Sequence, residues 1–103
     1  MSEKTIFLET FGDSPILKVL DFLIVHDDFD YSMTDISHYS QVGYSTLKLF
    51  WKSLVDKKIV VQTRIVGKAK LYTLSKTNPV VKKFKDLYWE TTKKGVRKKV
   101  VSL

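Results

Sequence analysis

The stretch TDISHYSQVGYSTLKLFWKSL, residues 34–54, decides the fold that we predict for this chain. It contains a short helix at about Met33–Tyr39, which Ser32 can cap, and a turn at residues 41–43. A second helix follows at about Tyr44–Lys57, because apolar residues recur there at helical spacings of three and four. These apolar positions are Leu47, Phe50, Trp51 and Leu54. The sequence therefore predicts two consecutive helices joined by a tight turn.

A β-hairpin is predicted directly after the second helix. Strand-like runs at Ile59–Arg64 and Lys70–Leu74 enclose Gly67 and Lys68, which we place at the hairpin tip. Helix, turn, helix and hairpin in this order form a winged helix-turn-helix. The predicted fold class is therefore α+β, mainly α, with the hairpin as the wing.

Two further helices flank this unit. Pro15 suits the first position of an N-terminal helix that ends near residue 26, and Asn78 with Pro79 begins a C-terminal helix that ends near Thr92. A chain of 103 residues fits one domain. The predicted divisions are an apolar lead-in at 1–13, the winged domain at 14–92 and a basic tail at 93–103.

The positive charge of the chain is concentrated in its second half. Residues 1–44 contain two lysines and eight acidic residues, a net charge of −6, whereas residues 45–103 contain 16 basic and three acidic residues, a net charge of +13. This asymmetry indicates a polyanionic partner for the second half. The alternative is a basic surface that only keeps the protein in solution.

Composition and motifs argue against several other functions. The chain has no cysteine, which excludes disulfides, thiolate metal sites and a cysteine nucleophile. It has no phosphate-binding glycine motif and no recognisable nucleophile with its base, so we predict no catalytic residues and no enzyme. The spacing of His26 and the acids at 27, 28 and 30 matches no EF-hand loop. We therefore predict no metal site and no cofactor, and no small-molecule effector can be identified.

The sequence also predicts that the protein has no membrane partner. Its longest apolar segment, Ile16–Val25, contains Lys18 and Asp21 and is far shorter than the roughly 20 residues that span a bilayer. The N-terminus lacks the pattern of a signal peptide. We expect a cytoplasmic, nucleoid-associated protein.

The outer face of the second helix of the pair carries candidate DNA-binding residues. Ser45, Leu49 and Lys52 lie opposite the apolar stripe, with Lys48 to one side. From Tyr44 to Lys52 this face is about 12 Å long at ~1.5 Å per residue. That length corresponds to roughly three or four base pairs at ~3.4 Å each. The face therefore matches the reach of one contact in the major groove of double-stranded DNA.

Each of these residue types suits a particular contact. Tyr44, Ser45 and Thr46 stand at a helix N-terminus, which favours a phosphate. Lys48 and Lys52 could reach guanine edges or phosphates, and an outward Leu49 could touch a thymine methyl group. On the wing, the residues expected to hold the DNA backbone are Arg64, Lys68 and Lys70. For any single lysine, a solvated surface charge is the alternative interpretation.

A homodimer is predicted from the N-terminal helix. Its apolar residues cover nearly the whole circumference, so it needs cover on more than one side, and a second subunit is the natural cover in so small a domain. Trp89 falls on an otherwise polar face of the last helix, which suggests a further contact surface. The predicted interface residues are Phe7, Phe11, Leu17, Ile24, Phe84, Tyr88 and Trp89.

Specific positions resemble helix-turn-helix proteins. Ile36 and Ser37 stand where that family has an apolar residue followed by a small one, and Val42 stands at the apolar turn position. Thr46 and Leu47 match the threonine–aliphatic pair of the recognition helix. One departure concerns the turn, where Gln41 occupies the usual glycine position and Gly43 comes two residues later.

Taken over about residues 14–92, the chain resembles the small archaeal winged-helix transcriptional regulators. The resemblance implies a homodimer that regulates transcription and places one recognition helix in each DNA half-site. Two alternatives remain open. One is a winged-helix protein–protein interaction module of a transcription complex, suggested by the acidic first half and an outward Leu49. The other is a non-specific, chromatin-like DNA-binding protein driven by the basic tail.

Overall fold

The computed structural model describes residues 4–101, with the backbone alone described for residues 96–101. Over this range it contains five helices and a two-stranded antiparallel sheet. The order of the elements confirms the predicted winged helix-turn-helix. The elements are α1 (Ile6–Phe11), α2 (Pro15–Val25), α3 (Met33–Ser40), α4 (Tyr44–Asp56), β1 (Val60–Val66), β2 (Ala69–Leu74) and α5 (Pro79–Val101).

Three helices begin at the residues that their caps predict. Pro15 is the first residue of α2. The Ser32 hydroxyl accepts a hydrogen bond from the Asp35 backbone N–H at 3.1 Å, which satisfies one of the free donors at the start of α3. Asn78 Oδ1 accepts from the Val80 N–H at 2.8 Å and does the same for α5. These are local interactions, and for that reason the sequence predicts them well.

The turn between α3 and α4 explains the unusual position of Gln41. This residue adopts left-handed backbone angles, with φ 59° and ψ 41°. Glycine is favoured at such a position because it has no Cβ to clash with the backbone. The glutamine is therefore tolerated in a conformation that glycine would adopt more easily. Val42, the apolar turn residue, is buried as predicted.

The wing is a hairpin with a two-residue turn at Gly67 and Lys68, and Gly67 has a φ of 62°. Its strands extend further toward the tip than predicted. The register shifts between Gln62 and Arg64, so Thr63 forms a β-bulge. At the base of the wing, Tyr31 exchanges backbone hydrogen bonds of 2.8 and 2.9 Å with Tyr72. The loop before α3 is thereby joined to the sheet.

The core lies between α2, α4, the base of the sheet and the inner face of α5. The predicted inward stripe of α4 is confirmed, because Leu47, Trp51 and Leu54 are buried and Phe50 is partly buried. Val60 and Leu74, which pair at the base of the hairpin, are also buried. The wing tip extends outward from this buried end.

The predicted lead-in contains a helix, α1, that was not foreseen; residues 1–3 lie outside the described residues. Phe7 and Leu8 of α1 are buried, and the Phe7 ring lies against Phe84 and Tyr88 of α5. Residues of α1, α3 and α4 pack on α2. The apolar circumference of α2 is thus covered largely by other elements of the same chain. Its burial therefore does not require a second subunit.

A buried polar cluster ties α1, α2 and α5 together. Asp21 accepts hydrogen bonds from the hydroxyls of Thr5 at 2.7 Å and Tyr88 at 2.6 Å. Burial, followed by the neighbouring Asp21, raises the pKa of the Tyr88 hydroxyl, which stays protonated and donates. The carboxylate is therefore satisfied although it is buried.

The predicted end of the last helix at Thr92 is wrong. In the structure α5 continues to Val101, through most of the segment predicted to be a basic tail, and residues 102–103 lie outside the described residues. Gly95 lies within this helix and lets α5 approach Ile6 of α1. A Cβ at Gly95 would lie 2.9 Å from Ile6 Cδ1, closer than side chains pack. The division of the chain at residue 93 stays a prediction.

Candidate nucleic-acid interface

The outer face of α4 is open to solvent along its length. Ser45 and Lys52 are exposed, and Leu49 is exposed to 85%, although it stands in the middle of the helix. The inward stripe holds the opposite face against the core. An apolar side chain as exposed as Leu49 is available for contact with another molecule.

The N-terminus of α4 and the wing line one open groove. Tyr44 of α4 contributes from one side, and Lys68 and Lys70 contribute from the wing. The remaining lining residues are Ser32, Met33, Thr34, Val66, Ala69 and Tyr72. The structure thus brings part of the predicted helix face and part of the predicted wing residues together at one surface.

Lys48 lies at the same end of α4. Its Nζ is 5.8 Å from the centre of the Tyr44 ring, within the range of a cation–π interaction. Ser45 is exposed and Thr46 is half-buried beside it. Gly43, which precedes the helix, makes no side-chain cap, so the first backbone N–H groups of α4 have no capping side chain.

Lys52 is engaged in a salt bridge along α4. Its Nζ lies 2.7 Å from Asp56 Oδ2, one turn further along the helix. This hydrogen bond and the charge of Asp56 raise the pKa of Lys52. Both side chains are exposed, so the pair can open. Any contact between Lys52 and DNA has to compete with Asp56.

Arg64 is also engaged within the chain. Its Nε and Nη2 donate to the two carboxylate oxygens of Asp30 at 2.9 and 3.2 Å, and the Thr63 hydroxyl donates to the same carboxylate. The Arg64 hydrogen bonds first, and then that of Thr63, lower the pKa of Asp30 to about 2. The geometry makes Arg64 a residue that positions the wing rather than a free ligand for phosphate.

The acidic loop between α2 and α3 uses its charges inside the molecule. Besides the Asp30 pair, Asp27 Oδ2 accepts from Lys85 of α5 at 2.7 Å, and this bond lowers the pKa of Asp27. Lys76 donates to the Asp27 carbonyl oxygen at 2.8 Å. Asp30 and Asp27 thus hold the wing and α5, an internal role that no local pattern in the sequence indicated.

The predicted dimer residues divide into two groups. Phe7, Ile24 and Tyr88 are buried in the core of the protomer and are not accessible to a partner in this structure. Leu17 and Phe84 are partly buried against that core. Phe11 and Trp89 are about half exposed. The burial of Phe7 and Tyr88 follows from the packing of α1 on α5, which the sequence of the apolar lead-in does not show.

Two further features bear on other kinds of function. Within residues 4–101, no helix is both long enough and apolar enough to span a bilayer. In the same part of the chain, no three His, Asp or Glu residues lie together in a way that could hold a metal ion.

The fold defines the class of protein as a winged helix with an additional helix at each end. The structure is similar to that of ZitR, a transcriptional regulator of Lactococcus lactis. For wild-type ZitR the TM-score is 0.58 at 13% identity, over 84% of this chain and 59% of that chain. For a ZitR double mutant in its apo form the TM-score is 0.63 at 13% identity, over 94% and 75%.

At this level of identity the similarity establishes the fold alone, and the chain spans less than two thirds of wild-type ZitR. No family model matches the sequence, and neither does any curated protein. The resemblance to winged-helix regulators is thus supported at the level of fold, whereas the archaeal label receives no support.

Proposed function

We propose that this protein binds double-stranded DNA with sequence preference and regulates transcription. The single observation that carries the proposal is the exposed face of α4 beside a groove that Tyr44 shares with Lys68 and Lys70 of the wing. A helix and a hairpin in this arrangement suit a major groove and the adjacent DNA backbone. The fold similarity to a transcriptional regulator agrees with it.

Each residue has a proposed role that respects its contacts in the structure. Ser45 and Leu49 read base edges, and Lys52 does so after release from Asp56. Tyr44, Thr46 and Lys48 hold phosphates at the start of α4, while Lys68 and Lys70 hold the backbone beside the wing. Arg64, through Asp30, fixes the direction of the wing.

We propose that the regulator is a homodimer with a surface formed by exposed residues of α1 and α5. Phe11 and Trp89 are each about half exposed. Apolar groups of this size on a small protein favour contact with a partner. Two-fold symmetry predicts DNA half-sites about one turn, roughly 34 Å, or a multiple apart. Sedimentation equilibrium of the wild type and a Trp89→Ala variant tests the dimer.

A fluorescence anisotropy titration with labelled duplexes tests the function itself. At low salt the protein should bind duplex DNA, and its affinity should fall steeply as salt rises, because counterions are released from the phosphates. Absence of binding to any duplex at low salt would contradict the proposal and favour the interaction module.

The second candidate function, a winged-helix protein–protein interaction module, retains one supporting observation, the exposure of Leu49. The acidic loop supports it less than its composition suggested, since Asp27 and Asp30 are paired internally.

The third candidate is a non-specific, chromatin-like DNA-binding protein driven by the basic segment at residues 93–103. Because α5 continues through this segment, the test replaces Arg97, Lys98 and Lys99 by glutamine rather than deleting it, and compares the salt dependence with that of the wild type. If this variant still selects a motif, the non-specific function is excluded.

A further inference from the structure

The lysines and the arginine of the described residues differ in whether a carboxylate binds them. Five are in ion pairs of 2.7 to 3.3 Å: Lys4, Lys52, Arg64, Lys85 and Lys93. Three without such a partner, Lys48, Lys68 and Lys70, belong to the candidate interface. Among the remaining lysines with described side chains, Lys18 and Lys76 donate to backbone oxygens and Lys94 is exposed on α5. The other four are exposed, and we call Lys57, Lys58, Lys82 and Lys83 the second lysine surface.

Asn78 brings the two halves of the second lysine surface together. Its Nδ2 donates to the backbone oxygens of Lys57 at 3.2 Å and Lys58 at 2.9 Å. Its own backbone oxygen accepts from the Lys82 N–H at 3.1 Å. The end of α4 is therefore fixed against the start of α5, so the backbone of Lys57 and Lys58 lies close to the first turns of the helix that carries Lys82 and Lys83.

The backbone at Lys58 is strained in a way that favours a different residue. Lys58 has a φ of 59° just after α4, and Ile59 N donates back to the Leu54 oxygen at 2.9 Å. This is the helix ending in which glycine or asparagine is usual, because a Cβ is unfavourable there. A lysine at this position adds an ammonium group next to that of Lys57, although the left-handed backbone conformation is unfavourable for a residue with a Cβ.

In the described part of the chain no carboxylate forms an ion pair with these lysines, although Asp56 precedes Lys57 and Asp86 stands one turn after Lys82. The first turn of α5 carries no acidic residue. Lys82 and Lys83 stand near the positive end of the α5 dipole, where acids would be favoured. The four like charges repel one another, and bound phosphates would relieve this repulsion.

The second lysine surface is far from the groove between Tyr44 and the wing tip, although Lys52 of the candidate interface stands only five residues before Lys57. Lys57 and Lys58 lie next to Val60 at the base of the hairpin, whereas Lys68 is at its tip. Six steps of strand lead from Val60 to Val66, about 20 Å at ~3.3 Å per residue. That groove is also at the N-terminal end of α4, and the second lysine surface is at its C-terminal end.

We propose that the second lysine surface binds the phosphate backbone of a second DNA duplex, so that the protein joins two duplexes. Lysines suit this role because they act as point charges on phosphates without reading bases. The distance from the wing tip favours a separate duplex over the one held by α4. This activity requires no sequence preference, and it is separate from the regulatory function proposed above.

A two-duplex capture assay tests the proposal. One duplex is fixed to beads by biotin, and a fluorescent duplex of unrelated sequence is added with the full-length protein. The test variant is Lys57→Gln/Lys58→Gln/Lys82→Gln/Lys83→Gln. The control, Lys4→Gln/Lys18→Gln/Lys93→Gln/Lys94→Gln, removes the same total charge from other places. Cooperative thermal unfolding and a circular dichroism spectrum equal to that of the wild type establish that the fold of each variant is intact.

The wild type and the control should capture the fluorescent duplex, and the test variant should lose at least about tenfold of this capture, since roughly four phosphate contacts disappear. Equal capture by the test variant and the control would overturn the proposal. Absence of capture by the wild type would also overturn the proposal. If the test variant then bound a single duplex less well than the wild type, the four lysines would be contacting the same duplex as α4. Sequence selection by α4 is measured in a separate experiment. Failure of the two-duplex proposal can therefore be distinguished from failure of the proposed regulatory function.

Discussion

Arg64 of the wing binds both carboxylate oxygens of Asp30, although 34 residues separate them in the sequence. Bidentate contacts of this kind fix direction as well as distance. The loop that carries Asp30 also pairs with the sheet through Tyr31 and Tyr72. One side-chain pair and one backbone pair therefore set the angle at which the wing leaves the domain.

Asp30→Asn should lower the melting temperature at neutral pH, and the difference from wild type should shrink as the pH falls from about 4 to about 2. The pKa of Asp30 is lowered to about 2 by Arg64 and then Thr63. The carboxylate therefore contributes stability that is fully present above its unfolded pKa of about 3.9 and is lost as the pH falls through about 2. Thermal unfolding from pH 2 to 7 measures this.

The matched control is Asp28→Asn in the same loop, because Asp28 forms no ion pair within the described residues. Its melting temperature should follow that of wild type at every pH. A pH-independent difference for Asp30→Asn would show that the charge of Asp30 does not stabilise the wing.

Gln41→Gly should stabilise the protein by about 0.5–1 kcal/mol. The left-handed conformation of Gln41 is costly for a residue with a Cβ, and glycine removes this cost, partly offset by the greater freedom of the unfolded chain. The Lys18 ammonium donates to the backbone oxygen of residue 41, which the substitution keeps. Chemical denaturation measures the change, and Gln41→Ala, which retains a Cβ, should not stabilise. A destabilised glycine variant would contradict the strain.

Gly95→Ala should destabilise the protein by about 1–2 kcal/mol, although alanine is the better helix former by about 1 kcal/mol. The new methyl group would meet Ile6 of α1, which packs directly on this part of α5. The double variant Gly95→Ala/Ile6→Ala provides space for the methyl group. In a double-mutant cycle, the loss of stability in the double variant should therefore be smaller than the sum of the losses in the two single variants. Additive effects would mean that α1 does not pack against Gly95.

Lys68→Ala and Lys52→Ala should affect DNA binding in different ways. Lys68→Ala should weaken binding to every duplex alike and reduce the salt slope by about 0.9, as expected for one lost phosphate contact.

Lys52→Ala should change the sequence preference, and Asp56→Asn should strengthen binding because it releases Lys52. Anisotropy titrations on selected and random duplexes measure both effects. Equal losses on both duplexes for Lys52→Ala would remove its base-reading role.

The sequence predicts the parts of this structure that depend on local interactions. Ser32, Pro15 and Asn78 mark helix starts through bonds or geometry within a few residues. The stripe of α4 and the turn at Gly67 follow from periodicity and backbone freedom in the same way. These features place α4 and the wing without any knowledge of long-range contacts.

What the sequence does not predict depends on contacts between distant segments. Phe7 and Tyr88 looked like interface residues because the packing of α1 on α5 is not visible in either segment alone. Arg64 looked free because its partner Asp30 lies 34 residues away. The last helix was predicted to end near Thr92 because the packing of Gly95 against Ile6 of α1 is not visible in the sequence.

Selection of bound duplexes from a random pool tests the central claim most directly, with wild type compared to a Ser45→Ala/Leu49→Ala variant. Both residues are exposed on α4, so their replacement should leave the fold intact. The wild type should enrich one motif, with two-fold symmetry if the protein is a dimer, and the variant should enrich a different or weaker motif. A wild-type pool that stays random, or an identical motif from the variant, would contradict DNA reading by α4.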